Sequence, residues 1–381
     1  MDANVSHGVL CFFSTMKDPR KARGRRHKLA DMIAIAICAT ICGEEGWFDI
    51  ALFGQVREEW FRTFLDLPHG IPSHDTFGRV FALLDPEELE KRFIQWTTHL
   101  TKVSKGRLVA VDGKAMRHSF DTVAERCNVH LLSAWCTANE TVLGQIACDA
   151  KSNEITAMPE LLNLLCLQGA VVSADAMHCQ RDTAGKIIDR QADYLLQVKS
   201  NQSSLRQGIA LLFDQGLTDD CRGVSYDYAE DVTGDHGRVE TRRCWTSSDI
   251  EGLTDPGVWK GLQSVVCVER IRKTGEQTSQ ERAYYISSLP GDDAAEMLRL
   301  TRDHWKVENQ LHWCLDVVFG EDASRVRKGY AAENLSRLRR VALNVLRKDT
   351  SRKLSLRAKR KVAGWDLPYL LHLLGFVEHE T

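Results

Sequence analysis

Two aspartates close short apolar runs in the chain, Leu108-Val109-Ala110-Val111-Asp112 and Ala170-Val171-Val172-Ser173-Ala174-Asp175. Runs of this kind read as buried strands, so both carboxylates are expected at strand carboxyl ends, where open sheets place their ligands. If the two strands are parallel neighbours, Asp112 and Asp175 share one cation. Mg²⁺ takes oxygen ligands and keeps positions for water and phosphate oxygens. A second ion needs a further carboxylate, and two ions together stabilise the attacking and leaving oxygens of an in-line phosphoryl displacement. Taken singly, each Asp is also an ordinary turn former.

The third acid is expected from the helical segment 301–316, where His304, Glu308 and His312 follow at i, i+4 spacings on one face. Glu308 sits among aromatic and apolar residues, a costly place for a carboxylate unless it is paired or holds metal. Glu154, Asp316, Glu321 and Asp322 are its rivals. His304 and His312 are eight apart and lack the His-Glu-x-x-His order, which argues against zinc catalysis.

The elements that must position these residues follow from periodicity. Residues 1–103 read as a helical domain, with helix-period apolar positions over 29–41, 50–64 and 89–100; Ser73 or Asp75 and Asp85 are candidate caps. Strand patterns at 108–112, 129–136 and 142–148, a helix over 157–167, a strand at 170–174, a helix over 181–190 and a strand at 194–199 give the order β-β-β-α-β-α-β. That is the order of a ribonuclease-H-like core of the α/β class. Alternating runs over 224–232, 238–246, 263–272 and 281–288 predict a β-rich insertion at 216–291. Helical signal returns in 292–349, which closes the core, and 350–381 reads as a basic C-terminal tail.

With 381 residues, 43% hydrophobic and 27% charged, the chain has the balance of a folded multidomain protein and excludes disorder. Its longest nearly apolar run, 32–42, is neither a membrane span nor a secretory leader, so a cytoplasmic location is expected. The twelve cysteines are scattered without a Cys-x-x-Cys pair and read as reduced, buried thiols. The net charge of −2 hides segregation, because 17–28 holds seven Lys/Arg against one acid and 325–361 holds fourteen against two. Clustered cations of this kind suit a polyanion such as nucleic acid, the bland alternative being a solvated face.

Five ordered motifs carry a family resemblance: Val111-Asp112-Gly113-Lys114, Lys151-Ser152-Asn153-Glu154-Ile155, Ala174-Asp175-Ala176-Met177-His178-Cys179-Gln180, Val198-Lys199-Ser200-Asn201-Gln202 and the run from His304 to Val317. With them the chain resembles the H-repeat-associated, ISAs-type bacterial insertion-sequence transposases over nearly its whole length. The resemblance implies a DDE triad of Asp112, Asp175 and Glu308, two Mg²⁺ ions with Mn²⁺ able to substitute, and double-stranded DNA as the partner of a homodimer or larger assembly. It implies no small-molecule cofactor. Where related transposases often carry Tyr, Arg and Lys around the catalytic Glu, this chain has Thr301, His304 and Leu315, leaving Arg302, Lys306 or His304 as candidates for that phosphate contact.

DNA contacts are expected from Arg20, Lys21, Arg23, Arg25 and Arg26 in the N-terminal cluster, from Lys199, Arg302 and Lys306 near the triad, and from Arg337, Arg339 and Arg340. The last three are expected to flank an apolar helix face over 333–348 and to hold the DNA of a partner subunit. Trp245 and Trp259 in the insertion are candidates to stack against an extruded base, the alternative being core packing. The function expected is metal-dependent cleavage and strand transfer of element ends. The alternatives are an inactive or domesticated DNA-binding protein of the same fold and a ribonuclease-H-like nuclease without strand transfer.

Overall fold

The computed structural model describes residues 8–101, 105–120, 128–148, 154–218, 225–235, 238–253 and 255–376. Lys151, Ser152 and Asn153 of the second motif lie outside them. The N-terminal part folds as helices α1 (Val9–Phe13), α2 (Leu29–Cys42), α3 (Trp47–Val56), α4 (Glu58–Phe61), α5 (His74–Leu83) and α6 (Pro86–Leu100). The caps fall where the residue types ask for them: Ser73 accepts the Thr76 N–H, and Asp85 accepts the Glu87 N–H ahead of Pro86. Helix α2 is apolar on almost every side and is buried accordingly, ending at Gly43 in the left-handed conformation.

The α/β part follows the predicted order: β1 (Leu108–Ala115), β2 (His130–Cys136), β3 (Thr141–Cys148), α7 (Glu154–Leu164), β4 (Val171–Ala174), α8 (Arg181–Asp189), β5 (Asp193–Val198) and α9 (Ser203–Thr218). Strand β1 is antiparallel to β2 and parallel to β4, and β4 is parallel to β5. The β-rich stretch supplies β6 (Asp227–Asp235), β7 (Arg238–Ser247), β8 (Ser264–Thr274) and β9 (Gln277–Ser287). It does not form a separate sheet. Strand β9 pairs antiparallel with β5, giving one nine-stranded sheet in the order β3-β2-β1-β4-β5-β9-β8-β7-β6. The edge that β5 would otherwise expose is thereby paired.

The chain then runs through α10 (Ala294–His304), a π-helical turn at Val307–His312, α11 (Trp313–Val317), α12 (Ala331–Lys348), α13 (Leu356–Trp365) and α14 (Leu367–Leu374). Among the described residues no helix is long and apolar enough to cross a membrane.

Helix α12 corrects one expectation. Arg337, Arg339 and Arg340 do not project towards DNA; they are buried, with Arg340 0% exposed. The helix has no solvent face because it lies between α2, α5 and α6 on one side and β3 and α13 on others. Arg337 donates to Glu90 at 2.7 Å and pairs with Glu333 at 2.9 Å, and Arg340 donates to Glu321 at 3.0 Å. Arg347 is likewise turned inward, onto the Gln310 carbonyl and Glu140.

The tail expected at 350–381 is largely helical, its described part sharing the N-terminal core through Ala363, Tyr369, Leu370 and Leu374. Lys359 and Arg360 are buried and donate to main-chain carbonyls of Leu346, Val318 and Thr40. Lys353, Arg357 and Lys361 remain exposed.

Burial alone would raise the Glu321 carboxyl, but the charges of Arg340 and Lys114 outweigh it and bring its pKa down to about 2. A depressed folded pKa contributes stability that is present above the unfolded value of 4.5 and is lost as pH falls towards 2. Glu321→Ala strands a buried guanidinium and is expected to cost about 3–5 kcal/mol at neutral pH, measured by urea unfolding. A loss within the range of ordinary surface substitutions would refute the role given to this pair.

Candidate active site

The register of two strands builds the site. Parallel pairing of β1 with β4 sets Val111 opposite Ala174, so Asp112 and Asp175 are the next residues along adjacent strands. Neighbouring strands lie about 4.8 Å apart. Asp112 is not at the strand end as expected: β1 continues to Ala115 because its other side still pairs with β2, Asp112 facing Ser133. Asp175 does end its strand and opens a short 3₁₀ turn over Ala176–His178.

Both carboxylates are held by histidines from the segment that carries Glu308. His312 Nε2 lies 3.0 Å from Asp112 Oδ2. His304 Nε2 lies 3.5 Å from Asp175 Oδ1, while its Nδ1 lies 2.9 Å from Ser173 Oγ. The simplest proton arrangement has each Nε2–H donating to its carboxylate and the Ser173 hydroxyl donating to His304 Nδ1. The His304 hydrogen bond holds the Asp175 carboxyl below the usual carboxylate range, against the burial that would raise it; Lys199 adds a favourable positive charge.

Glu308 stands between the two histidines in the π turn and is exposed, whereas Val307, Leu311 and His312 are buried. Such turns occur inside helices at functional sites, where the extra residue swings the following side chains off the α register. Among the described residues Glu308 has no side-chain partner, and no three acidic, His or Cys side chains close into a metal-binding group. All three triad members nevertheless offer oxygen donors, the set that Mg²⁺ takes.

The rival acids are engaged elsewhere. Glu154 lies over Gly113, so close that a Cβ there would be 2.2 Å from its Oε2. It is held by His178 at 3.5 Å and His130 at 3.3 Å, and the His178 bond is the main reason its carboxyl lies below the usual range. Asp316, Glu321 and Asp322 gather around Lys114, which pairs with all three.

The fourth motif serves the same edge: Asn201 Nδ2 donates to the Ala176 carbonyl at 2.6 Å and Gln202 Nε2 to the Cys179 carbonyl at 3.0 Å, tying the end of β5 to the turn after Asp175. Lys199 is exposed beside it.

Of the other candidate contacts, Arg302 and Lys306 are exposed near Glu308, although each is paired, with Asp231 and Asp303 respectively. In the N-terminal cluster Lys21, Arg23, Arg25 and Arg26 are exposed, but Arg20 turns its guanidinium onto Asp18 and the His27 carbonyl. Trp245 and Trp259 are corrected: both are buried in the core beneath the sheet, Trp245 against Tyr228, where no base can reach them. Trp305 and Trp313, before and after Glu308 in the chain, are exposed instead, as is Trp365 on α13. Sequence reasoning missed His304 and His312 as holders of the carboxylates, although their i±4 spacing about Glu308 was the available signal.

Comparison with known proteins is consistent with this geometry. Residues 103–345 match the family model described as the transposase DDE domain, and residues 10–97 match the one described as DDE_Tnp_1-associated. The candidate transposase YncI of Escherichia coli O157:H7 is 40% identical over 371 residues, 96% of this chain and 94% of that protein. The H-repeat-associated candidate transposase YhhI of Escherichia coli K12 is 38% identical over 370 residues, 95% of this chain and 96% of that protein. A shorter K12 relative named as an inactive transposase, YbfQ, is 43% identical over 69 residues, 18% of this chain and 82% of its own. Among solved structures, the synaptic complex of piggyBac transposase with hairpin DNA matches with a TM-score of 0.45 and 11% identity, covering 98% of this chain and 79% of that one. The match across most of the chain, from the associated helices through the catalytic sheet, makes this protein a member of the DDE transposase family, related to the H-repeat-associated transposases.

Proposed function

We propose that the protein is a DNA transposase that cleaves the ends of its insertion sequence and joins them to target DNA. The observation that carries this reading is the pairing of Asp112 with His312 and of Asp175 with His304, which brackets the unpaired Glu308 at one edge of the sheet. Asp112, Asp175 and Glu308 would hold the metal, which when bound stabilises charge on the attacking and leaving oxygens. His304 favours the ionised form of Asp175, and His304 and His312 together orient the two carboxylates. Lys199, Arg302 and Lys306, exposed around this edge, would engage phosphates near the scissile bond.

In the first step a water oxygen bonds to phosphorus as the 3′-oxygen leaves with a proton. In the second, that 3′-hydroxyl attacks a target phosphodiester and a new 3′-oxygen leaves. One P–O bond forms and one breaks each time, so strand transfer needs no energy source. Two ends and one target call for at least two copies of the chain. The exposed Lys21, Arg23, Arg25 and Arg26 would position duplex DNA through its phosphates.

Incubating the protein with a labelled element end, Mg²⁺ or Mn²⁺ and a plasmid target is expected to give joined product. Cleavage without joining would make it a nuclease, and a mobility shift alone would make it an inactive DNA-binding protein. Asp112→Ala, Asp175→Ala and Glu308→Ala are each expected to abolish cleavage while duplex binding stays within about twofold of wild type, since phosphate contacts rather than the triad hold DNA. His312→Ala is expected to lower cleavage about 10–100-fold, the scale of losing a group that orients a metal ligand. Full activity of Glu308→Ala would pass its place to Glu154 or Asp316.

Replacing Lys21, Arg23, Arg25 and Arg26 together by Gln is expected to weaken binding to every duplex alike. The plot of log affinity against log salt should flatten by about 0.9 for each phosphate that the variant no longer neutralises. An unchanged slope would reduce this cluster to a solvated patch.

A further inference from the structure

A groove of 680 Å³ lies between α10 and the face of β6 to β9 on which it packs, and runs up to Lys306 and Asn309, two residues before and one after Glu308. Its floor is arginine. Arg238, Glu240 and Arg242 alternate on β7 and so share one face, and on β8 Arg270 stands directly opposite Arg242 while Arg272 stands opposite Glu240. Like charges directly opposite each other across a sheet are destabilising. Glu240 offsets that cost without cancelling it: this buried carboxylate lies 2.8 Å from Arg242, 3.5 Å from Arg238, 3.9 Å from Arg272 and 4.0 Å from Arg270. One buried carboxylate thus lies within 4.0 Å of four guanidiniums.

Asp231 and Glu281 stand opposite Arg242 and Arg270 on the flanking strands, and Glu230 and Asp303 also line the groove, whose lining still carries more Lys/Arg than Asp/Glu. Asp231 reaches Arg242 and Arg302, and Glu281, 70% exposed, reaches Arg270. Arg272 Nε is buried with no hydrogen-bond partner. The wall nearest the candidate active site is Trp305, whose indole is 43% exposed.

A groove of this size matches small-ligand sites and takes a few nucleotides of one strand; a duplex is too wide for it. Arginines pre-set by a shared carboxylate, next to an exposed indole, combine the backbone-tracking charge and the stacking surface that single-stranded nucleic acid requires. We propose that this groove binds an unpaired DNA strand leading away from the cleavage site, with phosphates on Arg238, Arg242, Arg270 and Arg272 and a base against Trp305. The proposal rests on the transposase reading above and adds a second, single-strand subsite to it.

The test uses the full chain without divalent metal, with labelled oligo(dT) and a blunt random-sequence duplex as separate probes. Wild type is expected to bind both. Arg242→Gln with Arg270→Gln should weaken oligo(dT) binding about tenfold or more and flatten its salt slope by about 1.4, the value for two phosphate contacts on a single strand. Duplex affinity should change by less than about twofold, because duplex is held elsewhere. Trp305→Ala, a change at an exposed ring, should weaken oligo(dT) about tenfold with the slope unchanged. If the double arginine variant fails to fold, the Trp305 variant decides.

Wild-type affinity for oligo(dT) in either folded variant, or equal losses on both probes, would leave the arginines as a sheet-stabilising ion network and overturn the proposal. A wild-type protein that binds duplex but not oligo(dT) overturns the groove alone. One that binds neither removes the transposase reading as well.

Discussion

The buried arginines of α12 determine how the N-terminal helices and the sheet meet. Glu90, on α6, accepts from Arg337 and also from the Gln145 N–H of β3 at 2.7 Å, so a single carboxylate joins the N-terminal helices, α12 and the sheet. Arg340 reaches Glu321, which Lys114 also contacts from β1, two residues beyond Asp112. Removing one partner from such a pair leaves a buried charge uncompensated, whereas replacing both by apolar groups can be neutral. The arrangement therefore resists single changes strongly. It also ties the strand bearing Asp112 to helices far from it in sequence.

That rigidity matters because the site depends on alignment between elements. Asp112 and Asp175 are set by the β1–β4 register, but Glu308 arrives on a segment about 130 residues further on than Asp175, after the whole of β6 to β9. Two histidine–aspartate contacts bind that segment to the sheet, one on each strand. Lys114 fastens the segment's far end through Asp316. Glu308 is left exposed between these fixings, so it can turn towards a ligand without moving the backbone that carries it.

The strands around Asp112 and Asp175 were legible in the sequence because each signal was local. An apolar run ending in an acid needs only its own residues to be read, and Asp112, Asp175 and the strand order followed from such runs; only the length of β1 past Asp112 escaped, since it depends on pairing with β2. The arginines of α12 were misread for a different reason. Periodicity locates an apolar stripe but does not tell whether the opposite face meets water or meets acids from elsewhere, and Glu90 is 247 residues from Arg337. Trp245 and Trp259 failed likewise, since burial of an indole depends on what crosses above it. The arginine groove was hidden for a third reason: Arg242 faces Arg270 only in the register that β7 and β8 adopt.

Charge segregation along a chain is therefore a weaker guide to a nucleic-acid surface than charge left over after folding. The fourteen basic residues of 325–361 formed the largest cluster, yet Arg337, Arg340, Arg347, Lys359 and Arg360 are spent on internal carboxylates and carbonyls. The strands β7 and β8 carry fewer cations and interleave them with acids, which sequence reading takes for a neutral, solvated sheet. Folding reverses the ranking, because it places four guanidiniums around one buried carboxylate in a concave face where a polyanion can reach them. A concave, low-dielectric wall focuses such residual charge, so a modest excess there attracts phosphates more strongly than a larger excess spread over a convex helix.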